Sequence, residues 1–335
     1  MKKYQVYGIG NALVDLDFEV CNATIERLSI DKGVMTLIDE DKHHFLLEEL
    51  DGIKHLKACG GSAANTIFTL QQMGAKTFYS CKIGSDSAGD FYYSDLIANG
   101  IDTNLNECGR DGVTGKCIVL VTPDADRTMN TFLGATTDFS SKQLSENALI
   151  NSEFLYIEGY LVASPTACEA AILARKMAEK HQVKTAISLS DPNMVTYFRQ
   201  GLIDIIGNKV DILFCNEEEA KLFTESKNLD QATEKLKEYA HTFVVTLGSR
   251  GALVFNGART SHILSYKTSV VDTVGAGDVF AGAFLYAISQ GHDYLLASEL
   301  ANFAASKVVA KFGPRLSMEE VHDVSTMLKD QAASA

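Results

Sequence analysis

A glycine turn ahead of a long apolar segment is the part of this sequence best suited to chemistry. The turn runs from Asp272 to Asp278 as DTVGAGD, and the apolar segment Val279–Ser289 after it predicts a helix. We expect the N–H groups of Gly275, Ala276 and Gly277 to point at one spot, where the helix dipole adds positive charge and favours an anion. Asp278 is then placed to take a proton from an attacking hydroxyl group. The alternative is a carboxylate that only favours the helix dipole.

A second glycine turn lies nearer the N-terminus. In the segment CGGSAAN, Gly60 and Gly61 precede Ser62, a residue type that caps helices, and the predicted helix Ala63–Met73. Paired glycines let a ligand approach the backbone closely. The amide of Asn65 offers both a donor and an acceptor, which suits sugar hydroxyl groups. The alternative is a capped helix with no ligand.

Short β-rich segments alternate with amphipathic segments, which is typical of a mostly parallel sheet with helices on both faces. The predicted strands of that sheet are Tyr4–Ile9, Lys76–Ile83, Phe154–Ile157, Thr185–Leu189, Ile212–Cys215, Thr242–Thr246 and Ala252–Phe255. The other predicted helices are Ser87–Ala98, Pro165–Lys180, Glu217–Phe223, Leu229–Tyr239, Leu295–Ala310 and Met318–Met327.

Two regions depart from this rhythm. Val14–Val20 with Val34–Ile38 is typical of antiparallel strands, and Thr114–Phe132 of two strands around a Pro-Asp turn. We expect both regions to form one small β-sheet attached to the main domain, as a lid over a site.

Polar residues and glycines follow several predicted strands. In chain order these are Asn11 with Asp15, then Glu158, Asp191, Asn216, and Thr246 with Gly248. Ligands of open α/β sheets bind beyond the carboxyl ends of the strands. The pattern therefore predicts a polar cleft along that edge.

Composition excludes several classes of function. The 335 residues carry 30 Lys and Arg against 43 Asp and Glu, a net charge of −13, which argues against a nucleic-acid or anionic-membrane binder. Seven cysteines without a C-x-x-C motif, and no long apolar stretch, predict reduced thiols and a cytoplasmic protein. Leu13 stands where the dinucleotide-binding fingerprint has its third glycine, which argues against an NAD-linked oxidoreductase. The sequence also lacks the G-x-x-x-x-G-K-[ST] motif of P-loop proteins.

The two glycine turns together resemble the motifs of a known family. GGSAAN at 60–65 resembles the N-terminal motif, and DTVGAGD at 272–278 the C-terminal motif, of the ribokinase-like (PfkB) sugar and nucleoside kinases. The resemblance covers essentially the whole chain. It implies a single doubly wound, three-layer α/β/α domain over residues 1–335, with a small β-sheet lid formed by residues 12–40 and 113–134.

The family's chemistry implies roles for these residues. Asp278 would deprotonate the acceptor hydroxyl group, and Gly275, Ala276 and Gly277 would stabilise the transferred γ-phosphoryl group. The residues that match acceptor-binding positions are Asp15, Gly60, Gly61 and Asn65, which Asn11 could join. The acidic side chain of Glu158 could bind extra sugar hydroxyls rather than a purine.

The resemblance also implies ATP and Mg²⁺. The segment NEEE at 216–219 resembles the family's N-x-x-E motif, linked to magnesium and phosphate, although Asn216 and Glu219 also fit a helix capping box. Thr246 and Gly248 match the region that contacts ATP, and Asn302 a position near the adenine. Many relatives bind a monovalent cation such as K⁺ through carbonyl groups that flank the anion site, and the corresponding positions here are Asp272, Val274, Val308, Lys311 and Gly313.

The acceptor remains open at this level. The resemblance favours a nucleoside, adenosine first. The alternatives are a free sugar of the ribose, fructose or 2-keto-3-deoxygluconate type, and a non-catalytic homologue that binds nucleotide. Phe18, Tyr160 and Phe132 could stack on a base, and Arg127 either pairs with an anionic sugar or is a solvated turn residue. The expected partner is a small molecule, not nucleic acid or membrane, and both a monomer and a homodimer fit the family.

Overall fold

The structure is a computed structural model that describes residues 2–124 and 127–334. Its strands are β1 Tyr4–Ile9, β2 Leu13–Glu19, β3 Met35–Leu37, β4 His55–Gly60, β5 Thr77–Ser80, β6 Thr114–Val121, β7 Arg127–Gly134, β8 Ser152–Glu158, β9 Lys184–Ser188, β10 Val210–Asn216, β11 Ala240–Thr246, β12 Ala252–Phe255 and β13 Thr260–Ile263. Its helices are α1 Asn22–Arg27, α2 Glu40–Glu49, α3 Ser62–Gln72, α4 Ser87–Ala98, α5 Glu146–Ile150, α6 Pro165–Lys180, α7 Pro192–Ile206, α8 Glu217–Phe223, α9 Leu229–Leu236, α10 Ala276–Ser289, α11 Tyr294–Val308 and α12 Met318–Ser334.

The large sheet has the strand order β13-β12-β11-β10-β9-β8-β1-β5 across the described residues. Its strands run parallel from β5 to β11, whereas β12 and β13 pair antiparallel. From β1 the chain first reaches β5 on one side and later β8 on the other. The loop after β1 therefore lies where the strand order reverses, the usual place for a ligand in an open α/β sheet.

Alternating residues of the large sheet pack against different helices. Val6 and Phe214 belong to one buried cluster with residues of α3, α10 and α11. Their neighbours Tyr7 and Leu213 belong to a second cluster with residues of α6 and α7. Because side chains of a strand alternate between the two faces, both faces of the sheet are covered by helices. The architecture is a doubly wound, three-layer α/β/α domain, as the sequence predicts.

The small sheet has the order β3-β7-β6-β2-β4. The hairpin of β6 and β7 is antiparallel, as the Pro-Asp turn predicts, although Ala125 and Asp126 of that turn lie outside the described residues. The predicted antiparallel pairing of Val14–Val20 with Val34–Ile38 is wrong. The helix α1 separates the two strands, so β2 pairs with β4 and β6 while β3 runs parallel to β7. The ranges 12–40 and 113–134 contain these strands except β4.

Further elements were not predicted from the sequence. The helix α7 follows Asp191, whose carboxylate accepts from the Asn193 N–H at 2.7 Å, and it begins at Pro192. Asp191 therefore caps a helix. Helices α1, α2 and α5 and strands β4 and β13 were also missed. No helix of the described residues is both long and apolar enough to cross a bilayer.

Candidate active site

Asn11 and Glu158 lie at the point where the large sheet reverses its strand order. Glu158 ends β8 and is buried, and its carboxylate accepts the Asn11 N–H at 3.3 Å and the Ala63 N–H at 2.7 Å. A Cβ at Gly10 would lie 2.4 Å from the Glu158 Oε2, so the loop after β1 needs a glycine there. Burial raises the pKa of Glu158 to about 8. Glu158 thus ties the loop after β1 to the first turn of α3.

Asp15 brings a carboxylate from the small sheet to the same place. It lies on β2, opposite Ala58 of β4, and a Cβ on Gly60 would lie 2.3 Å from its Oδ2. Loss of hydration raises the pKa of Asp15 to about 7, and the neighbouring Asp17 adds to the shift. Gly61 has φ +105°, and a Cβ there would lie 2.2 Å from the Asn11 carbonyl oxygen. The two glycines therefore let Asp15 and Asn11 pack directly against the backbone at the start of α3.

The carboxylate of Asp278 is held by two side chains from α3. Ser62 Oγ donates to Asp278 Oδ1 at 2.6 Å, and Asn65 Nδ2 donates to Oδ2 at 3.0 Å. Burial raises the pKa of Asp278 to about 6, against the opposing effect of these two bonds. A carboxylate near that value is still ionised at neutral pH, as a general base requires. The predicted cap role of Ser62 is wrong: Gly61 is the N-cap, and the Ser62 hydroxyl serves Asp278.

The DTVGAGD turn opens α10 as predicted, with one difference. Gly275 has φ +77° and ψ −2°, and the Ala276 N–H donates to the Thr273 carbonyl at 3.2 Å. Residues 273–276 thus form a type II turn, which requires a positive φ at its third residue, Gly275. The Ala276 N–H is therefore not free to bind an anion, whereas Gly275 and Gly277 both line the cavity beside Asp278.

Two cavities meet at this turn. One holds about 430 Å³ and contains Asp278, Asn11, Asp15, Gly61 and Asn65 in its wall. The other holds about 540 Å³ and contains Ala276 and Asn302. The residues common to both walls are Thr246, Thr273, Gly277 and Phe280. We call the first the acceptor cavity and the second the donor cavity. The turn thus stands between two compartments.

The acceptor cavity has a polar end and an apolar end. The polar end is the cluster around Asp278 and Asp15. The small sheet contributes the apolar side chains of Leu13, Met35, Leu37, Met129 and Leu133. Among the described residues that line this cavity there is no Lys, Arg or His. The cavity therefore offers acidic groups and apolar surface, but no cationic side chain.

Of the three aromatic residues proposed to stack on a base, only Tyr160 lies at the acceptor cavity. Phe132 lies on the other face of β7, against His43, and Phe18 packs against His55. The wall of the acceptor cavity described here contains neither phenylalanine, so the prediction that Phe18 or Phe132 could stack on a ligand there is wrong.

Asn216 and Glu219 form the predicted capping box. Asn216 Oδ1 accepts the Glu219 N–H at 2.8 Å, and Glu219 Oε2 accepts the Asn216 N–H at 2.9 Å. Both residues also line the acceptor cavity, near Thr246 at the end of β11. Burial raises the pKa of Glu219 to about 7. Asn216 and Glu219 can therefore cap α8 and also belong to the site.

Gly248 and Asn302 lie in the wall of the donor cavity with Thr246, but Asn302 has a second task. Its amide Nδ2 donates to the carbonyl oxygens of Ile263 and Leu264, both at 3.2 Å. Asn302 therefore fixes the chain after β13, which carries Ser265 and Tyr266 along the cavity.

Asp272 connects the expected cation positions to one another. Its Oδ1 accepts the Val274 N–H at 3.0 Å, and its Oδ2 accepts the Gly313 N–H at 3.1 Å. Lys311 donates its N–H to the Val308 carbonyl at 3.4 Å and pairs through its amine with Glu320. The Asp272 carboxylate thus contacts both Val274 and Gly313, two of the other expected cation positions.

Arg127 and Arg315 join elements that are distant in sequence. Arg127 pairs with Asp17 and Asp272 and is largely buried, so it is not a solvated turn residue. Arg315 pairs with Asp95 at 2.8 Å and donates to the Cys59 carbonyl at 2.7 Å, next to Gly60. Arg315 was missed in the sequence, which carries no local signal for a contact 256 residues away.

The known proteins that this chain resembles are sugar and nucleoside kinases. Residues 28–321 match the model of the pfkB family carbohydrate kinases. The chain is 29% identical to a ribokinase of Staphylococcus aureus, covering 79% of this chain and 87% of the relative. It is 28% identical to an adenosine kinase of Dictyostelium discoideum, covering 96% and 98%. The solved adenosine kinase of Sinorhizobium meliloti shares 31% identity and a TM-score of 0.86, covering 99% of this chain and 100% of that one.

The family match at residues 28–321 includes both glycine turns and all the residues between them. The chain belongs to the pfkB family of carbohydrate kinases, phosphotransferases that act on an alcohol group of a sugar or nucleoside.

Proposed function

We propose that this kinase transfers the γ-phosphoryl group of ATP to the hydroxymethyl group of a neutral nucleoside, with adenosine as the leading acceptor. The observation that supports it is the position of Asp278 in the acceptor cavity, directly after Gly277, which lines both cavities, with its carboxylate held by Ser62 and Asn65. The hydroxyl would lie against Asp278, which accepts its proton as the oxygen attacks phosphorus. The N–H groups of Gly275 and Gly277 would stabilise the charge that develops on the phosphoryl oxygens.

Charge in the acceptor cavity argues for a neutral acceptor. The side chains of Asp15, Glu158 and Asp278 lie in its wall, and no cationic side chain lines it among the described residues. An acidic sugar such as 2-keto-3-deoxygluconate would bring a carboxylate into this environment without a partner. Desolvating a carboxylate without a cationic partner is costly, and Asp278, which is mostly ionised at neutral pH, adds a like charge. Arg127, the earlier candidate for an anionic sugar, is already paired with Asp17 and Asp272.

The apolar end of the cavity argues for a nucleoside over a free sugar. Met35, Met129 and Leu133 of the small sheet would cover the face of a base while the ribose hydroxyls reach Asp15 and Asn11. Thioether groups make favourable contacts with aromatic rings. A free ribose or fructose leaves this wall without an apolar partner. The free sugar remains the second candidate because the polar end alone would serve it, as in the ribokinase relative's named substrate class.

A magnesium ion would lie in the acceptor cavity, close to its boundary with the donor cavity. Glu219 and Asn216 line the acceptor cavity near Thr246, and Thr246 is shared with the donor cavity. Carboxylate and amide oxygens together with phosphate oxygens are the usual surroundings of Mg²⁺. The ion would neutralise charge on the ATP phosphates. The small sheet would act as a lid that excludes water from the transfer.

An acceptor screen tests the proposal. ADP release is measured with ATP and Mg²⁺ against adenosine, inosine, ribose, fructose and 2-keto-3-deoxygluconate, with Asp278→Asn as the matched control. We expect the highest kcat/KM for a nucleoside and none above background for the acidic sugar. A preference for the acidic sugar would contradict the charge argument. ATP binding without turnover of any acceptor would favour a non-catalytic homologue.

A further inference from the structure

Asp272 holds both sides of the glycine turn that stands between the two cavities. Its side chain is only 2% exposed. One carboxylate oxygen accepts the Val274 N–H inside the turn, and the other accepts the Gly313 N–H from the segment after α11. A Cβ on Gly275 would lie 2.4 Å from the Cβ of Pro314, so the two segments also touch directly. The position of the turn therefore depends on Asp272.

A buried carboxylate at this place needs a positive partner, and the small sheet supplies it. Arg127, the first residue of β7, has a side chain that is 10% exposed. One of its terminal nitrogens donates to Asp272 Oδ2, and the other donates to Asp17 Oδ2 at 2.9 Å. The planar fork of a guanidinium suits two carboxylates at once.

The donors on Asp272 leave a poor fit for an alkali cation. Its two oxygens receive the N–H groups of Val274 and Gly313 and the guanidinium of Arg127. The Val308 carbonyl accepts the Lys311 N–H. A cation bound to Asp272 would have to displace or face the guanidinium, a like charge in a site almost closed to water.

We propose that the guanidinium of Arg127 supplies at Asp272 the positive charge that many relatives obtain from a monovalent cation, so that this kinase works without K⁺. The charge is covalently part of the small sheet. It therefore reaches the glycine turn only when β7 is in place over the acceptor cavity. Binding of K⁺ at Asp272 does not depend on which acceptor the kinase uses. Only the measurement of turnover rests on the proposed function.

The test compares potassium, sodium and choline chlorides at equal ionic strength, using the full chain. Thermal unfolding is followed without substrates, and Tl⁺, an anomalously scattering substitute for K⁺, is soaked into crystals. For the native protein we expect Tm values within about 1 °C in the three salts, because a ligand that does not bind cannot stabilise. We also expect no thallium peak at Asp272 and turnover of the best acceptor that differs by less than about twofold.

Arg127→Met is the informative variant. It should lower Tm in choline, gain a K⁺-specific rise of about 3 °C or more, and acquire a thallium site at Asp272. Arg110→Met is the matched control, since it also removes one positive charge from a pair, here with Asp90 at 2.8 Å, but away from the turn. Its basal activity and its response to the three salts should equal those of the native protein.

Two results would overturn the inference. The first is a K⁺-specific rise in Tm, or a thallium peak at Asp272, in the native protein; this result stands even if Arg127→Met does not fold. The second is an Arg127→Met protein that folds but responds equally to all three salts. Failure of the acceptor screen would leave the Tm and thallium results intact, so the two proposals fail separately.

Discussion

Ser62 and Asp278 are joined by a hydrogen bond of 2.6 Å, although 216 residues separate them in the chain. The bond links the first residue of α3 to the first turn of α10, and Asn65 adds a second bond to the same carboxylate. The two glycine turns thus form one unit in which α3 orients the group that would accept the proton.

Removing the charge of Asp278 should abolish most of the turnover. For Asp278→Asn we expect kcat to fall by roughly 10²- to 10⁴-fold, the usual contribution of a positioned general base. ATP affinity should change little, since Asp278 does not line the donor cavity. Steady-state kinetics and equilibrium binding of ATP measure the two quantities. A kcat within about tenfold of the native value would show that another group takes the proton.

The acid limb of the pH profile should report the environment of Asp278. Its pKa is raised to about 6, so kcat/KM for the acceptor should rise as pH increases through that value. Ser62→Ala removes a bond that lowers the pKa of Asp278, so the acid limb should move to higher pH. Ser298→Ala is the control: it deletes a buried hydroxyl that bonds the Tyr294 carbonyl within α11. An unmoved limb in Ser62→Ala would argue that this pKa belongs to another group.

Stability should fall as pH rises toward 8. Burial raises the pKa of Asp15 to about 7, of Glu219 to about 7 and of Glu158 to about 8, from ordinary values of 3.8 for Asp and 4.5 for Glu. The folded state thus binds these protons more tightly than the unfolded chain. Their contribution is fully present below about pH 4 and is lost as pH increases through the folded values.

Urea unfolding at pH 5 and pH 8 measures this effect. We expect a larger free energy of unfolding at pH 5, and a smaller difference between the two pH values in Glu158→Gln, which cannot titrate. A free energy of unfolding that rises from pH 5 to pH 8 would show that burial does not raise the pKa of these carboxyl groups.

The link made by Glu158 should matter for acceptor binding. Glu158→Gln keeps one oxygen acceptor but places an N–H₂ group against the N–H of Asn11 or Ala63. Above about pH 8, where Glu158 is ionised and accepts both bonds, this unsatisfied buried donor costs about 1–3 kcal/mol, so Tm should fall and KM for the acceptor should rise, with KM for ATP little changed. Gly10→Ala should act in the same direction, because its Cβ would contact the Glu158 Oε2.

Glu153→Gln on the same strand is the matched control for Glu158→Gln. Glu153 lies on β8, five residues before Glu158, and is only partly buried. We expect its kinetics to equal those of the native protein. A rise in KM for ATP as large as that for the acceptor in Glu158→Gln would indicate general damage instead of a local link.

Some elements could not be predicted because their signals are weak or ambiguous. The strand β4 begins with exposed residues such as His55 and Leu56, so its sequence lacks the apolar alternation of a buried strand. The helix α7 follows Asp191, which fits a polar strand end as well as a helix cap. The Ala276 N–H looked free because the backbone conformation of Gly275 cannot be deduced from its type alone.

By itself, the sequence determined the alternating α/β pattern, the two glycine turns and Asp278, because strand and helix periodicity and turn chemistry are local properties. Tertiary structure decided which charges meet. The contacts of Ser62 with Asp278, of Glu158 with Asn11 and of Arg127 with Asp272 span 216, 147 and 145 residues. Such contacts depend on the order of strands in the sheets and on burial, which turns a polar residue type into a paired charge or a carboxyl group with a raised pKa.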